Sequence, residues 1–77
     1  MYLASEGKVQ TMRILIRKQE NELYLQPSGE WSEAREAARE FKSSCVAYLW
    51  ALEQKLLGVE ILLAFDDPRY DLAPMKL

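Results

Sequence analysis

The residues most capable of binding a ligand or ion are three aspartates in a short stretch near the end of the chain. Asp66, Asp67 and Asp71 surround Pro68 and Arg69. Carboxylate oxygens are the ligands that hard cations such as Ca²⁺ and Mg²⁺ prefer. The spacing differs from that of a calcium-binding loop, which has alternating oxygen ligands and a glycine in mid-loop. We therefore predict a turn that Asp67 and Pro68 begin, with Arg69 paired to Asp66 or Asp71.

The other residue types exclude several kinds of catalytic site. The chain has no histidine and one cysteine, Cys45, so Ser–His and Cys–His nucleophile pairs cannot form. We expect Cys45 to be a small buried side chain in the first turn of a helix rather than a reactive thiol. Three scattered glycines cannot make a phosphate-binding loop. The sequence thus predicts a protein that is not an enzyme and binds no metal or cofactor.

The composition is that of one small globular domain. The chain has 77 residues, of which 49% are hydrophobic and 29% charged, with a formal net charge of -2. One cysteine cannot form an internal disulfide, and the longest apolar stretch, 46–52, is too short to cross a bilayer. Because the chain opens without a signal-peptide pattern, we expect a cytoplasmic location and no membrane association.

Short runs of branched or alternating apolar residues predict three strands. These strands cover residues 12–17, 22–26 and 59–65. A polar connector joins the first two into a hairpin, in which Asn21 is able to adopt a positive φ. Two prolines and turn-forming residues predict a loop for 66–77.

Two helices are predicted between the second and third strands. The shorter helix covers 33–40. The longer one begins after Ser43 or Ser44 and ends near Leu57, where Gly58 can take the left-handed conformation. The element order β-β-α-α-β predicts an α+β fold, a three-stranded antiparallel sheet with the short and the long helix packed on one face.

The domain organisation follows from these elements. We expect a flexible leader over 1–11, a single α+β domain over 12–72 and a C-terminal tail over 73–77. A domain this small buries little apolar surface by itself, and oligomerisation is a common remedy.

One face of the predicted sheet carries apolar residues that the helices would leave uncovered. Leu15, Tyr24 and Leu62 share this face, and the charged residues around them are Arg13, Arg17, Glu22 and Glu60. An apolar centre with a charged rim is typical of an interface. Scattered apolar residues on an exposed sheet face are also common in monomers, so both interpretations stay open.

The long helix is apolar around most of its surface. The side expected to face the sheet carries Cys45, Tyr48, Leu49, Leu52 and Leu56. A second stripe contains Val46, Trp50 and Leu57, and Gln54, Lys55, Ala47 and Ala51 remain for the water-facing side. Because a helix of this kind is normally buried on two sides, we expect the second stripe to contact the first helix, the tail or another copy.

These surfaces predict a non-enzymatic protein-interaction module that forms a homodimer and can bind a further protein partner. The interface residues would be Leu15, Tyr24 and Leu62 on the sheet, or Val46, Trp50 and Leu57 on the helix. The alternative function is a binder of small ligands or single-stranded nucleic acid, using Tyr24, Trp31 and the arginines of the first strand. The pI of 5.1 and the interleaved glutamates argue against nucleic acid.

Several short motifs are shared with a group of small bacterial proteins of similar length. They are Ile14-Leu15-Ile16-Arg17, Tyr24-Leu25, Gly29-x-Trp31, Ala38-x-x-Phe41, Val59-x-Ile61 and the string Phe65-Asp66-Asp67-Pro68-Arg69-Tyr70-Asp71. On these motifs, which cover most of the chain from Met12 onward, the chain resembles that group of uncharacterised proteins. The resemblance implies a compact α+β fold and transfers no catalytic or binding residue.

Overall fold

The computed structural model describes residues 11–77, and the main element of that part is a five-stranded antiparallel sheet. The strands are β1 (Arg13–Lys18), β2 (Tyr24–Leu25), β3 (Trp31–Ser32), β4 (Val59–Ala64) and β5 (Leu72–Lys76), in the spatial order β3-β2-β1-β4-β5. The other elements are the helix α1 (Ser44–Glu53) and two 3₁₀ turns, Arg35–Ala37 and Pro68–Tyr70. The predicted leader lies outside the described residues, except for Thr11.

The predicted three-stranded sheet with two helices on one face is wrong, because the sheet has two more strands. Residues 31–32 pair with β2, and residues 72–76, predicted as loop and tail, pair with β4. Pro74 interrupts the strand pattern in the sequence because proline has no amide hydrogen to donate. An edge strand tolerates it, and the register between β4 and β5 shifts beside it.

The predicted helix over 33–40 is also wrong, because this segment forms one 3₁₀ turn and then extends. The Arg13 guanidinium donates to the carbonyls of Arg35 at 3.1 Å and Ala38 at 3.3 Å. In an α-helix these carbonyls would accept from amides four residues further along. Ala38 is extended, and the amide of Arg39 donates to a carbonyl of β2 at 2.8 Å. Tertiary hydrogen bonds therefore replace helical ones here.

The two central strands match their prediction closely. β1 and β4 pair without interruption from Arg13 opposite Ala64 to Lys18 opposite Val59. Their alternating residues face opposite sides of the sheet, as predicted, but both sides are buried, whereas the prediction left the side with Leu15 and Leu62 open. Ile14, Ile16, Val59 and Ile61 pack with α1 on one face, and Leu15, Leu62 and Ala64 pack on the other.

The hairpin between β1 and β2 differs in one detail. Glu22, rather than Asn21, has the positive φ, at 60°. The Asn21 side chain instead accepts a hydrogen bond from the amide of Leu23 at 3.2 Å. Asparagine forms such side-chain turns readily, which leaves the left-handed position to the next residue.

α1 starts where predicted and ends early. The Ser43 hydroxyl caps its N-terminus by accepting an amide hydrogen at 3.1 Å. The helix ends at Glu53, not near Leu57, because Lys55 takes a left-handed φ of 58°. The amides of Lys55 and Leu56 then donate to the carbonyls of Leu52 and Ala51, both at 3.0 Å. This is a Schellman termination without glycine.

α1 packs on the sheet through its small residues, so the predicted sheet-facing stripe is wrong for Cys45, Leu49 and Leu52, whereas Tyr48 and Leu56 pack against the core as expected. Ala47 and Ala51 are fully buried, whereas Cys45, Leu49 and Leu52 face outward. The exposed fractions are 47% for Val46, 54% for Leu49 and 46% for Leu52. Alanine allows the helix backbone to approach the sheet closely, so Val46, Leu49 and Leu52 lie on the opposite side. The expectation that Cys45 is buried is wrong for the same reason.

Ala51→Leu tests this orientation of α1. The larger side chain must push the helix away from β1 and β4, and we expect unfolding to become easier by about 1–3 kcal/mol. Urea denaturation at low protein concentration measures the change. Leu49→Ala is the matched control, with an expected change below about 0.5 kcal/mol. Equal stability of Ala51→Leu and the wild type would contradict the packing described above.

Candidate functional site

The second face of the sheet, predicted to be open, is covered by the segment that leads from β3 to α1. Leu15 and Leu62 are almost completely buried there and pack with Ala38 from this segment. Tyr24 is partly buried against the same cluster. Leu15 and Leu62 are therefore core residues of the chain itself, and a partner could reach them only by displacing the covering segment.

An ion pair between Arg35 and Asp71 fastens the covering segment to the sheet. The two guanidinium nitrogens of Arg35 lie 2.6 and 2.9 Å from the two carboxylate oxygens of Asp71. Arg35 also donates to the carbonyl of Phe65 at 2.7 Å and to the Tyr24 hydroxyl at 3.2 Å. The carboxylate in turn accepts from the Phe65 amide at 2.9 Å. We call this arrangement the Arg35 clamp.

The clamp shifts the protonation of both partners toward the charged form. Burial alone would raise the pKa of Asp71, but hydrogen bonds from Arg35 and from the Phe65 amide hold that pKa below its ordinary value. The hydrogen bond with Asp71 raises the pKa of Arg35. Asp71 is therefore ionised at neutral pH and serves as the anchor of the clamp.

The arginines of β1 are engaged in similar pairs. Arg13 pairs with Glu40 at 2.9 Å, and Arg17 pairs with Glu60 at 2.6 Å. Burial opposes the charge on Arg17, but hydrogen bonds to Glu60 and Tyr24 raise its pKa. Because these guanidinium groups already have carboxylate partners, they are poor candidates for binding phosphate, as the alternative function would require.

The aspartates near the end of the chain point at separate partners. Asp67 begins the second 3₁₀ turn, as predicted, by accepting from the Arg69 amide at 3.0 Å. Its carboxylate also pairs with the Arg69 guanidinium at 2.6 Å, which corrects the predicted pairing of Arg69 with Asp66 or Asp71. These hydrogen bonds lower the pKa of Asp67. Asp66 accepts from the amide of Thr11 at 3.4 Å. Within residues 11–77, no three acidic or cysteine side chains converge on a position that could hold a metal ion.

Several exposed apolar side chains of the described chain lie together on α1. Cys45, Val46, Leu49 and Leu52 form a surface, which we call the outer face. Among the predicted helix interface residues, Val46 belongs to the outer face and Trp50 lies partly buried at its margin. Leu57 is 84% exposed but follows the end of α1 and lies in the loop before β4.

Arg39 lies beside the outer face and has an unusual environment. Its guanidinium carbon is 4.7 Å from the ring centre of Phe41 and 4.8 Å from that of Trp50. The two rings are 5.6 Å apart and inclined at 53°. In the part of the chain that the structure describes, Arg39 has no carboxylate partner, whereas the other four arginines each have one. Cation–π contacts hold the Arg39 side chain in place and leave its charge available for pairing with a carboxylate.

Neither edge of the sheet offers a long surface for pairing with another strand. β3 has two residues. β5 has Pro74 at its centre and Lys76 at its end, both of which discourage the addition of a strand. Lys18 also covers the Trp31 ring in β3, with its ammonium nitrogen 4.9 Å from the ring centre. The outer face of α1 is thus the candidate functional site.

Comparisons with known proteins do not assign this surface. Protein-family models, curated proteins and solved structures give no match to the chain. The resemblance to the small bacterial group stays a prediction. Within the described part of the chain, α1 is too short to span a bilayer and no other α-helix is present.

The Arg35 clamp yields a stability prediction. Asp71→Asn removes the charge that three donors share, so we expect the free energy of unfolding to fall by about 2 kcal/mol. Urea denaturation at pH 7 measures this change. Asp66→Asn is the matched control because Asp66 is exposed and accepts one long hydrogen bond. A smaller effect of Asp71→Asn than of Asp66→Asn would show that the clamp does not hold the fold.

The same pair of proteins should differ in pH dependence. Because the pKa of Asp71 is lower in the folded state, its contribution is fully present above its unfolded pKa of about 3.9 and is lost as pH falls through the folded pKa. The stability difference between wild type and Asp71→Asn should therefore be constant from pH 7 to 5 and shrink below about pH 4. A difference that grows on acidification would contradict this assignment.

Proposed function

We propose that the chain is a non-enzymatic protein-interaction module that self-associates through the outer face of α1. The supporting observation is the direction of the helix, which buries two alanines and turns Val46, Leu49 and Leu52 outward. Covering such side chains stabilises an assembly by about 25 cal/mol for each Å² of apolar surface removed from water. In a homodimer, each copy would cover the apolar surface of α1 that is exposed in the isolated domain.

The arrangement of the sheet favours the helix over other surfaces for this role. α1 covers one face of the central strands and the segment from β3 covers the other. Both edges discourage further strand pairing, because β3 is short and β5 contains Pro74. The outer face is an accessible apolar surface that a folded protein could contact without rearranging this domain.

A second copy of the chain is the partner that we propose. Most soluble oligomers are homo-oligomers, and two-fold dimers are the commonest form. The exposed thiol of Cys45 suits a reducing compartment, so we propose a cytoplasmic location for this dimer. The proposal includes no catalytic step, since the ionisable groups that are most buried pair with each other.

Sedimentation equilibrium of Leu49→Asp tests the self-association. For the 9.0 kDa wild type we expect the mass to approach twice that value as concentration rises. A charge at the centre of the outer face should raise the dissociation constant at least about 100-fold, because it would be buried without a partner.

Leu72→Asp is the matched control for that experiment. Leu72 is 58% exposed, against 54% for Leu49, but lies on the β5 edge. We expect this variant to dimerise like the wild type, with circular dichroism confirming that both variants are folded. A wild type that stays monomeric at several hundred micromolar would refute the proposal. Loss of the dimer in Leu72→Asp alone would place the interface on the sheet edge.

A further inference from the structure

The outer face has a self-complementary pattern. Leu49 lies at its centre, with Val46 three residues before it and Leu52 three residues after it. When two helices pair antiparallel around a two-fold axis at Leu49, a residue before the centre stands level with the residue equally far after the centre. Leu49 then meets Leu49 of the second copy, and Val46 stands level with Leu52 of the second copy on the opposite flank, so the centre of the interface is apolar on both helices. A two-fold interface requires a surface that matches itself in this way.

The charges beside the outer face are also complementary under this symmetry. Val46, Trp50 and Glu53 share one flank of α1, because they are separated by four and three residues. The two-fold axis keeps this flank of both helices on the same side of the interface. Glu53 of the second copy therefore reaches the level of Cys45, one residue before Val46. Helical side chains lean toward the N-terminus, so the Trp50 ring, with Arg39 on it, extends toward the same level.

We propose that two copies pair antiparallel through their outer faces around Leu49, and that Arg39 of each copy binds Glu53 of the other. This inference rests on the proposed self-association. Arg39 lacks a carboxylate partner within residues 11–77, and the exposed Glu53 has no ion pair there. The Phe41 and Trp50 rings restrict the position of the Arg39 guanidinium before the dimer forms, which reduces the side-chain entropy lost when the ion pair forms.

The ion pair selects the direction of the helices. In a parallel pair, Glu53 would stand level with Glu53 of the second copy, and Arg39 with Arg39. The two-fold axis of a parallel pair also places this flank of the two helices on opposite sides of the interface, so Arg39 does not reach Glu53 of the second copy. The antiparallel pair forms two attractive contacts from the same four residues. Apolar contacts thus supply most of the affinity, and these charges set the orientation.

Disulfide trapping tests the direction. In a Cys45→Ser background, Leu49→Cys should give a covalent dimer under mild oxidation, because the two positions face each other. Val46→Cys and Leu52→Cys should each form no disulfide-linked dimer, since the identical positions in the two copies are about 9 Å apart along the helix axis. A disulfide needs Cα atoms closer than about 7 Å. Equal trapping at all three positions would overturn the antiparallel pairing.

Charge reversal tests the ion pair. Glu53→Arg should raise the dissociation constant of the dimer about tenfold, because both pairs become repulsive. Glu33→Arg is the matched control, with the same change of charge at an exposed residue outside α1, and should have no effect. The effect of Glu53→Arg should shrink in high salt.

A double-mutant cycle then identifies the partner of Glu53. Arg39→Met keeps an apolar stem on the two rings and removes the charge. Arg39→Met and Glu53→Gln should each weaken the dimer a few-fold, and together by less than the product of the two factors. Independent effects in a dimer that Leu49→Asp still disrupts would refute the ion pair and leave the self-association intact. A monomeric wild type would refute both.

Discussion

The Arg35 clamp joins two parts of the chain that are far apart in sequence, the turn after β3 and the link between β4 and β5. It closes over the face of the sheet that carries Leu15 and Leu62, and both side chains are almost completely buried beneath it. The carboxylate of Asp71 accepts three hydrogen bonds, so the charge is compensated as well as buried. A short segment with little regular structure can therefore act as the second layer of the fold.

This closure determines which surface stays available. With α1 on one face and the clamped segment on the other, the sheet is shielded on both sides. The large aliphatic residues of α1 then lie outside both cores. Exposed aliphatic side chains scattered singly need no explanation, and their grouping on one helix face is what supports the contact surface that we propose. The fold thus accounts for the position of the outer face, and Arg39 at its margin adds a charge that has no carboxylate partner within residues 11–77.

The parts that could be predicted from the sequence are those governed by local pattern. Alternation in β1 and β4 identified the two faces of the sheet, and Ser43 marked the start of α1. The rest depends on contacts between distant residues. Arg13 donates hydrogen bonds to carbonyls of the segment that was predicted to be a helix. β5 forms because it pairs with the edge of β4, despite Pro74. The side of α1 that faces the sheet was predicted incorrectly because leucine is more hydrophobic than alanine and was expected to be buried. Close approach of the helix to the sheet instead favours burial of the smaller alanine.

The proline of β5 has a consequence for how many copies can assemble. A sheet with a free, regular edge can recruit the edge of another molecule, and the process can repeat without limit into a fibre. Pro74 has no amide hydrogen to donate in the middle of that edge, and the register with β4 shifts beside it. Strand-by-strand growth at this edge is thereby disfavoured, and the two-fold helix pairing that we propose would close on itself rather than extend into a fibre.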